Sequence, residues 1–243
     1  MVNITENVLS VKERIAAAAI ACGRKPEEIT LVAASKLNGR DAVQEAIRAG
    51  VPVCGENRVQ ELLLKNAAGA YEGAELHFIG HLQKNKVKNV VGLVRLIHSV
   101  DTIPLMKEIS RAAQRIGVKQ DILLEVNIAG EASKSGFSAE NLPEALAAAA
   151  DLAGITVRGL MTVPPVCELS ENNRPFFLAL KQLFVDNSGK KYDNVYMDFL
   201  SMGMSGDFET AIACGSNMVR IGSAVFGPRN YSDSEVPADG LDG

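Results

Sequence analysis

The feature that most limits what this chain can become is an alternation. Eight short apolar runs, at 30–36, 51–55, 75–79, 96–100, 121–127, 156–162, 194–200 and 218–225, are each followed by a stretch with helical spacing. Their mean interval of roughly 27 residues suits a (β/α)₈ TIM barrel of about 250 residues. One further helix is expected before the first strand, over 5–22, with Val8, Val11, Ile15, Ala18 and Ala19 on one stripe and Gly23 stopping it. Later helices are expected from Asp41, over 59–68 and 83–91, after the Thr102 cap with Ile103, Met106, Ile109 and Ile116 facing inward, over 142–152, near Pro175, and briefly after Asp207. An open doubly wound sheet is the rival, but that fold announces a nucleotide with an early G-x-G-x-x-G turn, which the first strand lacks. The expected organisation is one barrel domain over 1–230 and a flexible acidic tail over 231–243.

Composition narrows the classes of function. With 243 residues, 47% hydrophobic and 22% charged, the chain reads as an ordinary globular protein. A net charge of −4 with no basic cluster argues against nucleic acid as a partner. The run Lys84-Asn-Lys-Val-Lys88 has the spacing of a solvated helix face and no interleaved aromatic. Cys22, Cys54, Cys167 and Cys214 form no paired motif, so neither zinc nor a disulfide framework is expected. No apolar run is long enough to span a bilayer and no signal peptide is evident, so the expected compartment is the cytoplasm.

In a barrel, strand ends converge on one face, and there Lys36, Asn57, His81, Asn127, Met161, Ser201 and Arg220 become neighbours. Lys36 closes an apolar run. It is either a snorkelling or ion-paired side chain or a Schiff-base lysine, whose amine reacts only when apolar surroundings or a nearby cation lower its pKa. Ser201-Met-Gly-Met-Ser205-Gly206-Asp207 and Ile221-Gly222-Ser223 offer hydroxyls and glycine backbone in the loops that bind phosphate in many barrels. The plainer alternative is turns that serve the backbone alone. Arg220 supplies the second cation, and it has donors only, so an aromatic nitrogen facing it must stay unprotonated. A structural ion pair to a core carboxylate is the competing account.

Taken together, Ala34-Ser-Lys36, Gly55-Glu-Asn-Arg-Val-Gln-Glu61, His77-Phe-Ile-Gly-His-Leu-Gln-Lys-Asn-Lys86, Leu200-Ser-Met-Gly-Met-Ser205 and Val219-Arg-Ile-Gly222 resemble the pyridoxal phosphate homeostasis protein family. That family is similar to the N-terminal barrel of alanine racemase without its β-domain. The resemblance implies that Lys36 holds pyridoxal 5′-phosphate as an internal aldimine. It implies that Ser201, Ser205, Gly222 and Ser223 hold the phosphate, Ser223 more by its backbone N–H than by its hydroxyl. It also implies that Arg220 faces the pyridine nitrogen and that Asn57 lies beside the cofactor. No role is carried over to His81 or Lys134.

The function implied is storage, buffering or delivery of the cofactor to recipient apoenzymes by a monomer that is not itself an enzyme. A racemase of low activity is the alternative. Racemisation needs a proton donor on each face, and none of Tyr71, Tyr192, Tyr196 and Tyr231 stands clearly at a strand's C-terminal end. A cofactor-free Schiff-base aldolase would need only Lys36 and the phosphate loops.

Overall fold

A computed structural model describes residues 2–131, 134–165, 167, 169–189 and 192–228. The expected tail and the boundary at 230 lie outside the described residues. Eight parallel strands, β1 (Thr30–Ala34), β2 (Val53–Glu56), β3 (Glu75–Phe78), β4 (Leu96–Val100), β5 (Gln120–Glu125), β6 (Ile155–Met161), β7 (Val195–Ser201) and β8 (Met218–Ile221), close into a barrel in sequence order. β1 pairs with β8, in register Val32 to Arg220. Closure leaves no exposed sheet edge, and it brings the first and last strands of the chain side by side.

The (β/α)₈ expectation therefore holds, with α1 (Ile4–Ala21) as the extra N-terminal element. Asn3 caps it by accepting from the Glu6 N–H, and Val8, Val11, Ile15 and Ala19 form its buried stripe. The remaining helices are α2 (Arg40–Arg48), α3 (Val59–Ala67), α4 (Ile103–Arg115), α5 (Leu142–Ala150), α6 (Arg174–Ser188), α7 (Phe208–Ala213) and α8 (Ser223–Phe226). α1 packs on α2, α7 and α8. It is fastened there by Arg14 on Glu209 and by the Asn7 amide donating to the Val225 carbonyl at 3.0 Å.

Three expectations change in detail. The helix read over 83–91 is a 3₁₀ segment, Lys84–Asn89, in which only Val87 is buried. The like charges of Lys84 and Lys88, four residues apart, disfavour a full α-helix. Ile116 is exposed, because it stands just past the end of α4, where the chain leaves the buried stripe. β8 ends at Ile221, so Ser223 opens α8 and does not extend the strand.

The strands alternate between two apolar layers. Leu31, Ala33, Ile97, Ile122, Leu124, Leu200, Val219 and Ile221 face the helices, while Val32, Val53, Ile79, Leu96, Leu123, Met161 and Met218 fill the barrel interior. The same alternation points His77, His98, Ser201 and Arg220 inward. All four are buried, so the interior is part oil and part hydrogen-bonded polar chain.

Candidate functional site

Lys36 sits in a turn two residues beyond β1, and the turn is gripped from behind. Leu37 has φ of +64°, a left-handed conformation that folds the chain back immediately after Lys36. Its N–H donates to Glu61 Oε1, and the Asn38 amide donates to the Lys36 carbonyl at 2.9 Å. On the other side of Lys36, the Ser35 hydroxyl donates to Glu56 Oε1 at 2.6 Å. The Lys65 ammonium links the two carboxylates. It lies 2.7 Å from Glu56 Oε1, 2.7 Å from Glu61 Oε1 and 2.7 Å from the Ser35 carbonyl, so its three protons have three acceptors.

This cluster is buried, and Tyr71 completes it by donating to Glu56 Oε1 at 3.0 Å. Burial raises the Glu56 pKa, while Lys65 pulls it back. The thiol of Cys54 is pushed up to about 12 by the same burial and by Glu56. The local sequence builds the grip directly: Glu56 ends β2, and Glu61 and Lys65, four apart on α3, share the helix face that looks at β1.

In front of the turn lies a cavity of about 330 Å³, within the size range of small-molecule sites, lined by Lys36, Asn57, Ser205, Arg220, Gly222 and Ser223 together with Ala34, Ile79, Val163, Met204 and Gly206. Six of the seven residues expected at the site therefore meet around one space. The seventh, Ser201, is not on its lining. It is fully buried, and its hydroxyl accepts from Arg220 Nη1 at 2.6 Å and lies 3.1 Å from His98 Nδ1.

The loop after β8 aims two backbone donors at one point: the N–H groups of Gly222 and Ala224 both donate to Ser205 Oγ, at 3.2 and 3.3 Å. The serine oxygen thus occupies a spot that favours an oxygen acceptor. Asp207, at the N-cap of α7, holds the loop that leads into that helix by accepting from the Met204 N–H at 2.6 Å.

Arg220 is buried, donates from Nη2 to the Thr162 carbonyl at 2.8 Å, and has its pKa lowered to about 10 by burial, against the opposing pull of Glu125 and Asp207. It remains a cation at neutral pH. Among the described residues, Asn57 lines the cavity, and its buried Oδ1 has no hydrogen-bond partner.

A second cavity, about 360 Å³, adjoins the first and shares Asn57, Ile79 and Val163 with it. Here lie His81, 3.4 Å from Asp101, and Lys134, 2.8 Å from Glu131. Glu125 lines it as well, with its pKa raised by burial and by Asp101. Among the described residues no group of three or more His, Cys, Asp or Glu is placed to hold a metal, and no helix is long and apolar enough to cross a membrane. The four cysteines are free thiols.

Sequence reasoning missed the positioning roles of Glu56, Glu61 and Lys65. The signal present was Glu61 and Lys65 at helical spacing behind a strand-end glutamate. It also gave no role to Val163 and Met204, which carry no chemistry that a pattern would flag.

A closed (β/α)₈ barrel with an amine after β1, a buried arginine in β8 and converging N–H groups after it defines a class. The chain belongs to the alanine racemase N-terminal domain family, whose model matches residues 4–230. Within that class it is 44% identical over 229 residues to the pyridoxal phosphate homeostasis protein of Aquifex aeolicus, covering 94% of this chain and all of that one. It is 42% identical over 236 residues to the protein of the same name from Escherichia coli strain K12, covering 96% and 99%. Among solved structures, PipY of Synechococcus elongatus PCC7942 with PLP bound superposes with a TM-score of 0.80 at 28% identity, covering 93% of this chain and all of that one.

Proposed function

We propose that this protein holds pyridoxal 5′-phosphate at the barrel mouth and serves its homeostasis, storing, buffering or handing on the cofactor. The observation that carries the reading is the meeting of Lys36, Arg220 and the Ser205–Gly222 loops around one cavity. The similarity to homeostasis proteins along nearly their whole length supports it.

The residues fit the cofactor's three functional ends. Lys36 supplies the primary amine that tethers the aldehyde. The N–H groups of Gly222 and Ala224 and the Ser205 hydroxyl, already turned toward one another, receive the phosphate with help from Ser223. Arg220 donates only, so a ring nitrogen facing it is kept as an acceptor, without a proton. Asn57 lies on the wall beside it. Ser201 acts one step back, holding the Arg220 guanidinium. When bound, the cofactor supplies an aldehyde that captures primary amines and a ring that withdraws electrons. An unprotonated ring nitrogen weakens that withdrawal, which favours holding over turnover.

Two described tyrosines are engaged elsewhere: Tyr71 is spent on Glu56, and Tyr196 donates to the Asp193 carbonyl at the start of β7. Tyr192 lines neither cavity. Tyr231 lies outside the described residues; among the described tyrosines this supports carriage over racemisation, and we extend the reading to a cytoplasmic monomer that supplies recipient apoenzymes.

The test is an absorbance scan of protein mixed with the cofactor, followed by borohydride reduction and peptide mapping. A band above that of the protein alone, with the label trapped on Lys36 and lost in Lys36→Ala, is expected. A colourless protein that takes up no label overturns the reading. Fast deuterium exchange at Cα of single amino-acid enantiomers would instead establish an enzyme, and light scattering reads the oligomeric state.

A further inference from the structure

Below the cavity a line of polar groups that begins at Arg220 and Ser201 runs on down the inside of the barrel. Arg220 Nη1 donates to Ser201 Oγ at 2.6 Å, Ser201 Oγ lies 3.1 Å from His98 Nδ1, and His98 Nε2 lies 3.0 Å from His77 Nδ1. His77 Nε2 then lies 3.6 Å from Glu75 Oε2. Arg220 borders the cavity at the barrel mouth. Glu75, the first residue of β3, is exposed at the opposite end, where His77 lines a smaller opening with Thr30, Leu96 and Met218, the first residues of β1, β4 and β8.

We propose that His98 and His77 are positioning residues, each held as its Nε2–H tautomer in a one-way hydrogen-bond line that fixes Ser201 and, through it, the Arg220 guanidinium at the cavity wall. The direction follows from the far end of the line. Arginine has donors and no acceptor, so Ser201 must accept from it. The serine hydroxyl has one proton left to give, and His98 Nδ1 is its acceptor. A neutral imidazole that accepts at Nδ1 carries its proton at Nε2, so His98 must donate to His77 Nδ1. The same rule leaves His77 Nε2 carrying the proton that faces the Glu75 carboxylate.

Reversing the line would turn the Ser201 proton away from His98, its partner beside Arg220, and would set a bare His77 Nε2 against the Glu75 carboxylate. Both rings are held neutral by burial. Arg95 adds to this at His77, and His77 and Arg220 add to it at His98. The line therefore does not titrate near neutrality, and its role is to orient. It rests on the proposed cofactor site only for what Arg220 faces.

The test begins without cofactor. The chain has three histidines, so a two-bond ¹⁵N–¹H spectrum of the full chain is sparse, and His81→Asn, at an exposed position, assigns the third. His77 and His98 are expected to show neutral Nε2–H patterns from about pH 8 down to about pH 5.5. An Nδ1–H or imidazolium pattern at His98 would overturn the proposal. Ser201→Ala removes the donor to His98 and is expected to turn its single tautomer into a mixture or into the Nδ1–H form. An unchanged His98 pattern in a folded Ser201→Ala protein would also overturn it.

The second arm uses the cofactor-loaded protein. Ser201→Ala and His98→Phe should release cofactor about tenfold faster, the loss of roughly one hydrogen bond's worth of orientation, while His98→Gln recovers part of the loss. Release at the unsubstituted rate in both variants counts against the line. If the unsubstituted chain takes up no cofactor, the proposed function fails and the tautomer spectra still decide this inference.

Discussion

The N–H of Leu37 donates to Glu61 Oε1, so the residue next to Lys36 is held by a helix that follows the neighbouring strand. Glu61→Ala leaves this part-buried donor and one proton of the buried Lys65 ammonium unmatched, and frees the left-handed turn. A loss of about 1–3 kcal/mol in unfolding free energy is expected, with weaker retention of cofactor than in the unsubstituted protein. Denaturant titration alongside a cofactor dissociation assay checks both. Loss of stability with unaltered retention would show that the turn does not position Lys36.

Lys65→Met should cost more than Glu61→Ala. The ammonium is the shared partner of Glu56, Glu61 and the Ser35 carbonyl, and its removal leaves two carboxyl groups buried beside each other. A penalty of about 3–5 kcal/mol is expected for breaking such a group from one side. Replacing Glu56 and Glu61 by glutamine in the same chain should recover part of it, and equal stabilities of the single and triple variants would contradict this account.

Acid should weaken the fold through the two interior histidines. The His77 pKa is lowered to about 3 and that of His98 is also lowered well below the ordinary value, in both cases chiefly by burial. The unfolded chain therefore binds protons that the folded chain refuses as pH falls below about 6.5, and stability present above that pH is lost below it. Each histidine contributes a slope of up to about 1.4 kcal/mol per pH unit. The raised carboxyl groups of Glu56 and Glu125 act in the opposite sense, gaining stability as pH falls toward the ordinary carboxyl range. Urea unfolding of the unsubstituted protein and His77→Gln, compared between about pH 7.5 and about pH 5.5, should show the shallower loss in the variant; parallel curves would refute the assignment.

Gly159→Ala should damage the barrel wall itself. Gly159 has φ of +142°, and a Cβ there would stand 1.9 Å from the Phe199 carbonyl oxygen, against backbone and not a yielding side chain. A loss of about 3 kcal/mol or more is expected by denaturant titration, and a loss below about 1 kcal/mol would mean that β6 and β7 can part more easily than their pairing suggests.

The barrel was legible because its strands are apolar on both faces and recur at a regular interval, and Lys36 and Arg220 stood out as charges set into such runs. Regularity also misled: the run through Val225 has strand composition, yet Gly222 turns it into α8, and Lys84 to Lys88 has helix spacing without enough buried contact to complete an α-helix. Ser201 looked like its partner Ser205, both hydroxyls near a glycine-rich loop. Only the pleat distinguishes them, since Ser201 ends β7 pointing inward and Ser205 lies beyond it. His77 and His98 were hidden by the same geometry. A strand buried on both faces gives no alternation from which to read its inner side, and the usable hint was a histidine in Leu96-Ile-His-Ser-Val100 that needed a buried partner.

The packing of α1 on α7 and α8, with β1 zipped to β8, has a consequence for the order in which the molecule comes into being. The first helix and strand are synthesised long before the last ones they must meet, and the lining of the cavity begins at Ala34 and is completed at Ser223. A chain that has not yet reached Ser223 lacks part of this lining. Closure of the barrel by β8 is therefore the first moment at which this cavity can be complete.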